Sequence, residues 1–438
     1  MTSVIDNLTT DPVRWGWAGV WAAGFVAVSL WAAFKGRKTS DAVSDYLVLY
    51  ASQTGQAEEI ARESAASLVA GGRDALAVST DKVSLAQLRA AKHILCVVST
   101  TGEGDAPDEA LRFEKTLMRE TPDLAGRTVA VLGLGDRKYD QFCAFGHRVF
   151  NWLVSCGAEA VSPTIEVDDL DAAALKRWHD LLAGLGAQET IHADAGLPWR
   201  LETRTRLNPL GSHPLYHLSF TGQTADWQAG DLIEITTPHG HRRDYSIATL
   251  PEEGRLDLYV REVRKENGER GDGSGLLIEG LLAGEALPLR LKSHKGFHMP
   301  QGDGPLLLVG AGSGLAGLRA HILQANAQKR PVWLIYGERH PERDGALADQ
   351  MKAWREEGRL GRLDLVFSRL DDGAGQYVQA VVKAQGADIP AWLGDTGAIL
   401  CCGGRDMGLA VEHALAAALG QAWIDDAKVS GRYRRDLY

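Results

Sequence analysis

Residues Tyr46–Ala57 read YLVLYASQTGQA, and the fold of the first half of the chain follows from them. The first six form an unbroken apolar run, the pattern of a strand buried on both faces of a parallel sheet. The next six carry two hydroxyls, two carboxamides and a glycine, and Ile60, Leu68 and Val69 then recur at helical spacing. A strand that runs through such a loop into a helix turns free backbone N–H groups toward an anion. No Gly-Lys-Ser/Thr is present, so a monophosphate suits the loop better than a nucleoside triphosphate. The pattern recurs at His93–Val98, which leads into Ser99-Thr100-Thr101-Gly102-Glu103-Gly104-Asp105, and at Thr128–Leu132, which leads into Gly133-Leu134-Gly135-Asp136-Arg137-Lys138-Tyr139. Ligands of open parallel sheets bind beyond the carboxyl ends of the strands, so the three loops are expected to converge on one site.

The segments SQTGQAEEIA, STTGEG and LGLGDRKYDQFC resemble the FMN-binding loops of flavodoxins. They are more similar still to the flavodoxin domain of the diflavin reductase family, which includes sulfite reductase flavoprotein and cytochrome P450 reductase. The resemblance implies that Ser52, Gln53, Thr54, Gly55, Gln56 and Ala57 hold the ribityl phosphate and that Ser99, Thr100, Thr101 and Gly102 line one edge of the isoalloxazine. It assigns the other edge to Leu134, Gly135, Asp136, Tyr139, Phe142 and Cys143, with Tyr139 stacked on the ring. Thr101 stands where P450 reductase has an aromatic residue, and Cys143 reads as a small packing residue.

Beyond Gly196–Arg206 the helical spacing gives way to alternation, as in Tyr216–Phe220, Asp231–Ile235 and Leu256–Val260, which predicts an antiparallel β-barrel. Arg243, Asp244, Tyr245 and Ser246, with Gly271, Asp272, Gly273 and Ser274, are its cofactor-binding candidates. An arginine and backbone amides can neutralise a pyrophosphate while a tyrosine stacks on a ring. Residues 305–438 return to strand and helix. Pro305–Val309 enters Gly310-Ala311-Gly312-Ser313-Gly314 and then a helix, the pattern of a dinucleotide pyrophosphate turn. Arg369 follows a later strand, and a guanidinium there in place of a carboxylate favours a 2′-phosphate, hence NADPH over NADH.

This half resembles the ferredoxin-NADP reductase module of the same family over residues 197–438. The resemblance implies FAD at Arg243, Tyr245 and Ser246 and its pyrophosphate at Gly271–Ser274. It places the adenosine 2′-phosphate at Ser368, Arg369, Tyr377 and Gln379, sets Tyr438 over the flavin face, and makes Ser246, Cys402 and Asp436 the hydride-transfer trio. Gly275 replaces the usual Ser or Thr, Gly317 replaces Pro, and the lysine expected between Arg369 and Tyr377 is missing. Only Thr236–Arg242 separate Ile235 from the Arg-x-Tyr-Ser motif, where relatives carry a helical connecting domain, so any hinge is expected near Gln188–Pro198.

A length of 438 residues implies two to four domains. The predicted organisation is α/β and multidomain: an anchor and linker (1–43), a flavodoxin-like doubly wound FMN domain (44–190), an antiparallel FAD-binding barrel (197–300) and an α/β NADP-binding domain (303–438). A net charge of −10 disfavours nucleic acid as a partner. The five cysteines show no Cys-x-x-Cys pair or zinc spacing, so no metal site is expected. Trp15–Phe34 is twenty uncharged residues, about 30 Å of helix, with Lys35, Arg37 and Lys38 following. One transmembrane helix in the cytoplasmic membrane is therefore expected, N-terminus outside and catalytic domains in the cytoplasm.

The expected activity is a membrane-anchored NADPH-dependent diflavin reductase, an NADPH-haemoprotein oxidoreductase, with FMN, FAD and NADPH as cofactors. The acceptor would be a membrane haem or iron protein, a haemoprotein or a ferric chelate, docking on an acidic rim of Glu103, Asp105, Asp108, Glu109 and Asp140. A sulfite reductase flavoprotein-type subunit, an enzyme returning electrons to NADP+, and a non-catalytic flavin-binding membrane adaptor stand as alternatives.

Overall fold

The computed structural model describes residues 42–101, 104–137, 140–168, 171–188, 196–208, 213–223, 225–265, 267–344, 346–370 and 373–438. Three sheets carry the architecture, and each uses one of the periodicities seen in the sequence.

In the first, strands β1 (Tyr46–Ala51), β2 (Ala75–Ser79), β3 (His93–Ser99) and β4 (Thr128–Gly135) run parallel in the order β2-β1-β3-β4. Strands β5 (Glu159–Ala160) and β6 (Ile165–Asp168) both pair with β4. The sheet is covered by helices α1 (Gln56–Ala70), α2 (Leu85–Ala90), α3 (Leu111–Lys115), α4 (Ala144–Ser155) and α5 (Ala172–Gly184). Alternation along each strand assigns the faces. Tyr46, Val48, Tyr50, Leu95 and Val97 pack against Ala57, Ala61, Leu68 and Trp178. Leu47, Leu49, Ile94, Cys96 and Val98 pack against Phe113, Phe145, Val149 and Trp152. Burial on both faces is why these strands read as continuous apolar runs.

The second sheet is antiparallel, with the order β10-β9-β12-β7-β8-β11. Its strands are β7 (Leu197–Arg206), β8 (Leu215–Gly222), β9 (Leu232–Thr236), β10 (Arg242–Ser246), β11 (Leu256–Arg261) and β12 (Ala286–Lys292). A short helix, α6 (Asp272–Gly275), lies between β11 and β12. The core side is built from Trp199, Leu201, Phe220, Trp227, Ile233, Ile235 and Leu258. The expected β-barrel is an open path of strand pairs among the described residues. Its two ends approach where the Ala248 N–H donates to the Asp257 carbonyl at 2.9 Å.

The third sheet is parallel, in the order β15-β14-β13-β16-β17, from β13 (Leu306–Ala311), β14 (Val332–Glu338), β15 (Arg362–Phe367), β16 (Ala398–Gly403) and β17 (Tyr433–Leu437). Helices α7 (Leu315–Ala327), α8 (Ala346–Glu356), α9 (Val378–Ala384), α10 (Asp388–Leu393), α11 (Arg405–Leu419) and α12 (Gln421–Ser430) flank it. Leu308, Leu334 and Tyr336 face Leu318, Ile322 and Met351. Val309, Trp333 and Ile335 face Val382, Val411 and Leu415.

The membrane expectation is corrected. No helix among the described residues is long and apolar enough to cross a membrane. The longest, α1 and α11, have 15 residues each, about 22 Å at 1.5 Å per residue, against a hydrocarbon core of about 30 Å. The span expected at Trp15–Phe34, its flanking charges and most of the expected hinge, residues 189–195, lie outside the described residues.

Phe113 is fully buried and meets Trp152 edge-on at 5.4 Å between ring centroids. Phe113→Ala is expected to destabilise the first-sheet unit by about 3–5 kcal/mol in urea unfolding followed by circular dichroism. A change near zero would contradict this packing.

Candidate functional site

The loop after β1 forms a compact cradle. Gly55 takes the left-handed conformation at φ 87°, and α1 starts at the next residue. The Ser52 hydroxyl accepts the Ala57 N–H at 3.1 Å, which closes the loop. After β3, the Thr100 N–H donates to the Leu134 carbonyl at 2.9 Å, and the Thr101 hydroxyl donates to the Ala106 carbonyl at 3.1 Å. The loops after β1, β3 and β4 therefore border one cavity of about 270 Å³, lined by Ser52, Gln53, Thr54, Gln56, Ser99, Thr100, Thr101, Leu134, Gly135 and Asp136.

Other expected members face elsewhere. Gly55 and Ala57 shape the loop without lining the cavity, and Phe142 packs under the Arg137 guanidinium at 4.6 Å. The buried Cys143 thiol donates to the Gly133 carbonyl at 3.2 Å, and burial pushes its pKa up to about 12, so it is a neutral packing group. Gly102, Glu103 and Tyr139, including the expected stacking of Tyr139, lie outside the described residues.

Asp105 and Val167 also line it, and the rest of the wall comes from the far end of the chain: Arg405, Leu409, Arg435, Leu437 and Tyr438. Ion pairs tie the two halves together. Arg435 bridges Asp108 at 2.7 Å and Glu412 at 2.6 Å. Arg290 makes a two-pronged contact with Glu59, at 2.6 and 2.8 Å, and also holds Glu234 at 2.9 Å. Lys295 meets Glu58 at 2.6 Å. Gln53 uses both ends of its carboxamide, accepting the Asp108 N–H within its own half at 3.2 Å and donating across to the Arg435 carbonyl at 3.4 Å. The expected acidic rim is accordingly redistributed. Asp108 and Glu109 are turned inward onto protein partners, Asp105 and Asp140 are exposed, and Glu103 is outside the described residues.

A second cluster lies beside this wall. Parallel pairing of β16 with β17 sets Cys402 opposite Asp436. The buried Asp436 carboxylate accepts from the Ser246 hydroxyl at 3.1 Å and lies 3.6 Å from the Cys402 sulfur. Burial, then the Asp436 charge, drives the Cys402 pKa far upward, so the thiol keeps its proton. A Cβ on Gly317 would stand 3.1 Å from that sulfur, which explains a small residue in this place.

The glycine-rich turn after β13 fits the end of β16 closely. A Cβ at Gly314 would come within 2.2 Å of the Cys402 carbonyl oxygen, and Gly312 adopts φ 58°. The Ser313 hydroxyl lies 2.9 Å from the Tyr438 hydroxyl, so the turn and the chain end are joined. In the antiparallel sheet, a Cβ at Gly273 would stand 2.7 Å from the Tyr245 hydroxyl, so the Gly271–Ser274 turn rests directly on the Arg243–Ser246 strand. Asp244 pairs with Lys292 at 2.6 Å. Asp272 pairs with Lys265 and His241, and these contacts lower its pKa to about 2. Ser368, Arg369, Tyr377 and Gln379 follow β15, with Arg369 and Tyr377 exposed.

Beneath the Ser246–Cys402–Asp436 cluster, Phe297 is flanked by His294, near-parallel at 6.0 Å, and His321, edge-on at 5.0 Å. Both histidines are buried, and burial lowers both pKa values, that of His321 to about 3. Sequence reasoning missed these histidines and the wall of Arg405, Leu409, Arg435 and Leu437. No local pattern marks them, because their roles arise from contacts between distant elements.

The flavodoxin family matches residues 48–188. Over longer stretches the chain is similar to sulfite reductase [NADPH] flavoprotein alpha-components. That of Thiocapsa roseopersicina is 29% identical over 464 residues, covering 90% of this chain and 88% of the relative. The Bacillus subtilis protein is 24% identical over 554 residues, covering 93% and 91%. The Klebsiella pneumoniae protein is 24% identical over 583 residues, covering 99% and 97%. These alignments are longer than the 438-residue chain itself, so the relatives carry segments that it lacks.

Two outcomes follow from these charges. Asp108→Lys places like charges at the Arg435 contact and is expected to enlarge the radius of gyration in small-angle scattering; an unchanged radius would show that this pair does not hold the halves together. His321 has a folded pKa below its unfolded value of about 6.5, so the unfolded chain binds the extra proton. Stability is thus fully present above about pH 6.5 and falls as pH drops toward the folded pKa of about 3. His321→Phe is expected to flatten that acid limb in melts taken across the range.

Proposed function

We propose, for a chain that its flavodoxin match and its sulfite reductase flavoprotein relatives place in the diflavin reductase family, NADPH-dependent electron transfer through FAD and FMN to a one-electron acceptor. The observation that carries this reading is the shared chain end. Arg435–Tyr438 contributes to the wall of the cavity assigned to FMN and, through Asp436, to the cluster assigned to hydride transfer. One five-residue strand thus serves both sites.

The cofactors are FMN, FAD and NADPH. When bound, the flavins supply what no side chain can, acceptance of a hydride pair and its release as single electrons. The residues present suit these groups in shape and charge. The Ser52–Gln56 loop offers amides and hydroxyls to a phosphate, and the turns at Gly273 and Gly314 pack tightly on their own protein neighbours, which fixes the glycine-rich backbone beside the assigned pyrophosphate positions. We read the antiparallel sheet as an FAD-binding barrel over 197–300 and the third sheet as an NADP-binding unit over 303–438. Arg243, Tyr245 and Gly271–Ser274 would hold FAD, and Gly310–Gly314, Ser368, Arg369, Tyr377 and Gln379 would hold NADPH.

The protein's own part is orientation and proton retention. Asp436 fixes the Ser246 hydroxyl, the raised pKa keeps the proton on the Cys402 sulfur, and the Ser313 contact holds the Tyr438 ring in place. For nicotinamide to approach the flavin, that ring must move aside. The alpha-component names of the relatives favour a separate acceptor component, and we read it as a haemoprotein.

Purified full-length protein is expected to hold two flavins, to bleach rapidly with NADPH and to reduce ferricyanide. A chain with one flavin, or one that NADPH does not bleach, would overturn the enzyme reading in favour of a flavin-binding adaptor. Deleting Tyr438 is expected to raise turnover with NADH relative to NADPH, and an unchanged ratio would show that it does not gate the site.

A further inference from the structure

Glu109 is a partly buried carboxyl group that the proposed reaction does not use. It sits in the turn Asp108–Ala110 beyond β3 and reaches back to two other strand ends. One oxygen accepts the Ser52 N–H at 3.1 Å, and the other lies 2.5 Å from the Ser79 hydroxyl. Ser52 opens the phosphate-type loop after β1, and Ser79 closes β2. One side chain therefore ties together the carboxyl ends of β1 and β2 from the loop after β3.

Its charge setting is unusual for a phosphate site. Asp81 and Glu58 lie close enough to act on Glu109, together with the Tyr50 hydroxyl, and Glu58 is itself engaged by Arg62 and Lys295. Burial, then these neighbouring carboxylates, raises the Glu109 pKa above the ordinary carboxylate value, against the lowering effect of its two hydrogen bonds. The Ser52 N–H is already taken, so the amides that remain for an anion are those of Gln53–Gln56.

We infer that Glu109 is a positioning residue that sets the phosphate loop for FMN and determines its preference for FMN over riboflavin, which lacks the phosphate. The inference rests on the reading of the cavity as the FMN site. A protonated Glu109 holds Ser52 without opposing the phosphate, whereas an ionised Glu109 repels it. As pH rises through the raised pKa, FMN affinity therefore falls relative to a variant that cannot ionise.

The test uses full-length protein stripped of FMN with FAD left in place, titrated with FMN and with riboflavin by fluorescence quenching. Glu109→Gln cannot ionise and keeps both contacts, its carboxamide oxygen accepting the Ser52 N–H and its NH2 donating to the Ser79 hydroxyl oxygen. It is expected to bind FMN as tightly as the wild type at acidic pH and more tightly at high pH, with riboflavin unaffected throughout. Glu109→Ala leaves the Ser52 N–H and Ser79 hydroxyl without this partner and is expected to weaken FMN about tenfold while changing riboflavin much less. Equal losses for FMN and riboflavin in Glu109→Ala, or identical pH profiles for wild type and Glu109→Gln, would overturn the inference. Wild-type protein that binds neither flavin in the cavity would overturn the FMN reading itself.

Discussion

The register of β17 against β16 is the constraint on which both candidate sites depend. Parallel pairing places Asp436 beside Cys402, and in the same strand it turns Arg435 toward Asp108 in the first half of the chain. A one-residue slip would exchange the two faces of the strand, carrying the carboxylate away from Ser246 and the guanidinium away from Asp108. Five residues thus settle the geometry of the Ser246–Cys402–Asp436 cluster and of the wall over the first cavity together.

Close backbone approach is the second constraint. Gly314 lies against the Cys402 carbonyl, Gly273 against the Tyr245 hydroxyl, and Gly317 under the Cys402 sulfur. At each place a side chain would occupy the space through which two elements meet. Gly317 also shows how a departure from the family pattern fits its surroundings: the position faces Phe297 and Ser246 as well as Cys402, and a glycine lets all three come close.

Electrostatics then organises what packing has assembled. In an acidic chain, many free carboxylates around the loop after β1 would repel any anion that approached it. Instead Glu58, Glu59 and Asp108 are each engaged by a cation from the second half, namely Lys295, Arg290 and Arg435. Glu234 is nearly buried and shares Arg290 with Glu59, so removing that arginine would strand a buried charge. The contact between the halves thereby neutralises the surroundings of the loop that faces it.

Much of the fold was legible in the sequence. YLVLYA and HILCVV read as apolar runs because both faces of their strands are covered, and the alternation in Leu256–Val260 reflects an antiparallel strand with Leu256, Leu258 and Val260 on the sheet's own core and Asp257 and Tyr259 buried on the other face. The hydroxyl-rich and glycine-rich loops were legible for the same local reason, since backbone conformation and strand ends depend on near neighbours. Which carboxylates stay free was not legible. Asp108 and Glu109 read as solvent-facing docking charges, yet their partners Arg435, Ser52 and Ser79 lie up to 327 residues away. By itself the sequence determined the strands, the turns and the residue types able to hold phosphate and dinucleotide. Only the tertiary structure decided that the chain end closes the first cavity and that two neighbouring carboxylates serve different elements, because the energy of a charge depends on what is folded against it and not on its place in the chain.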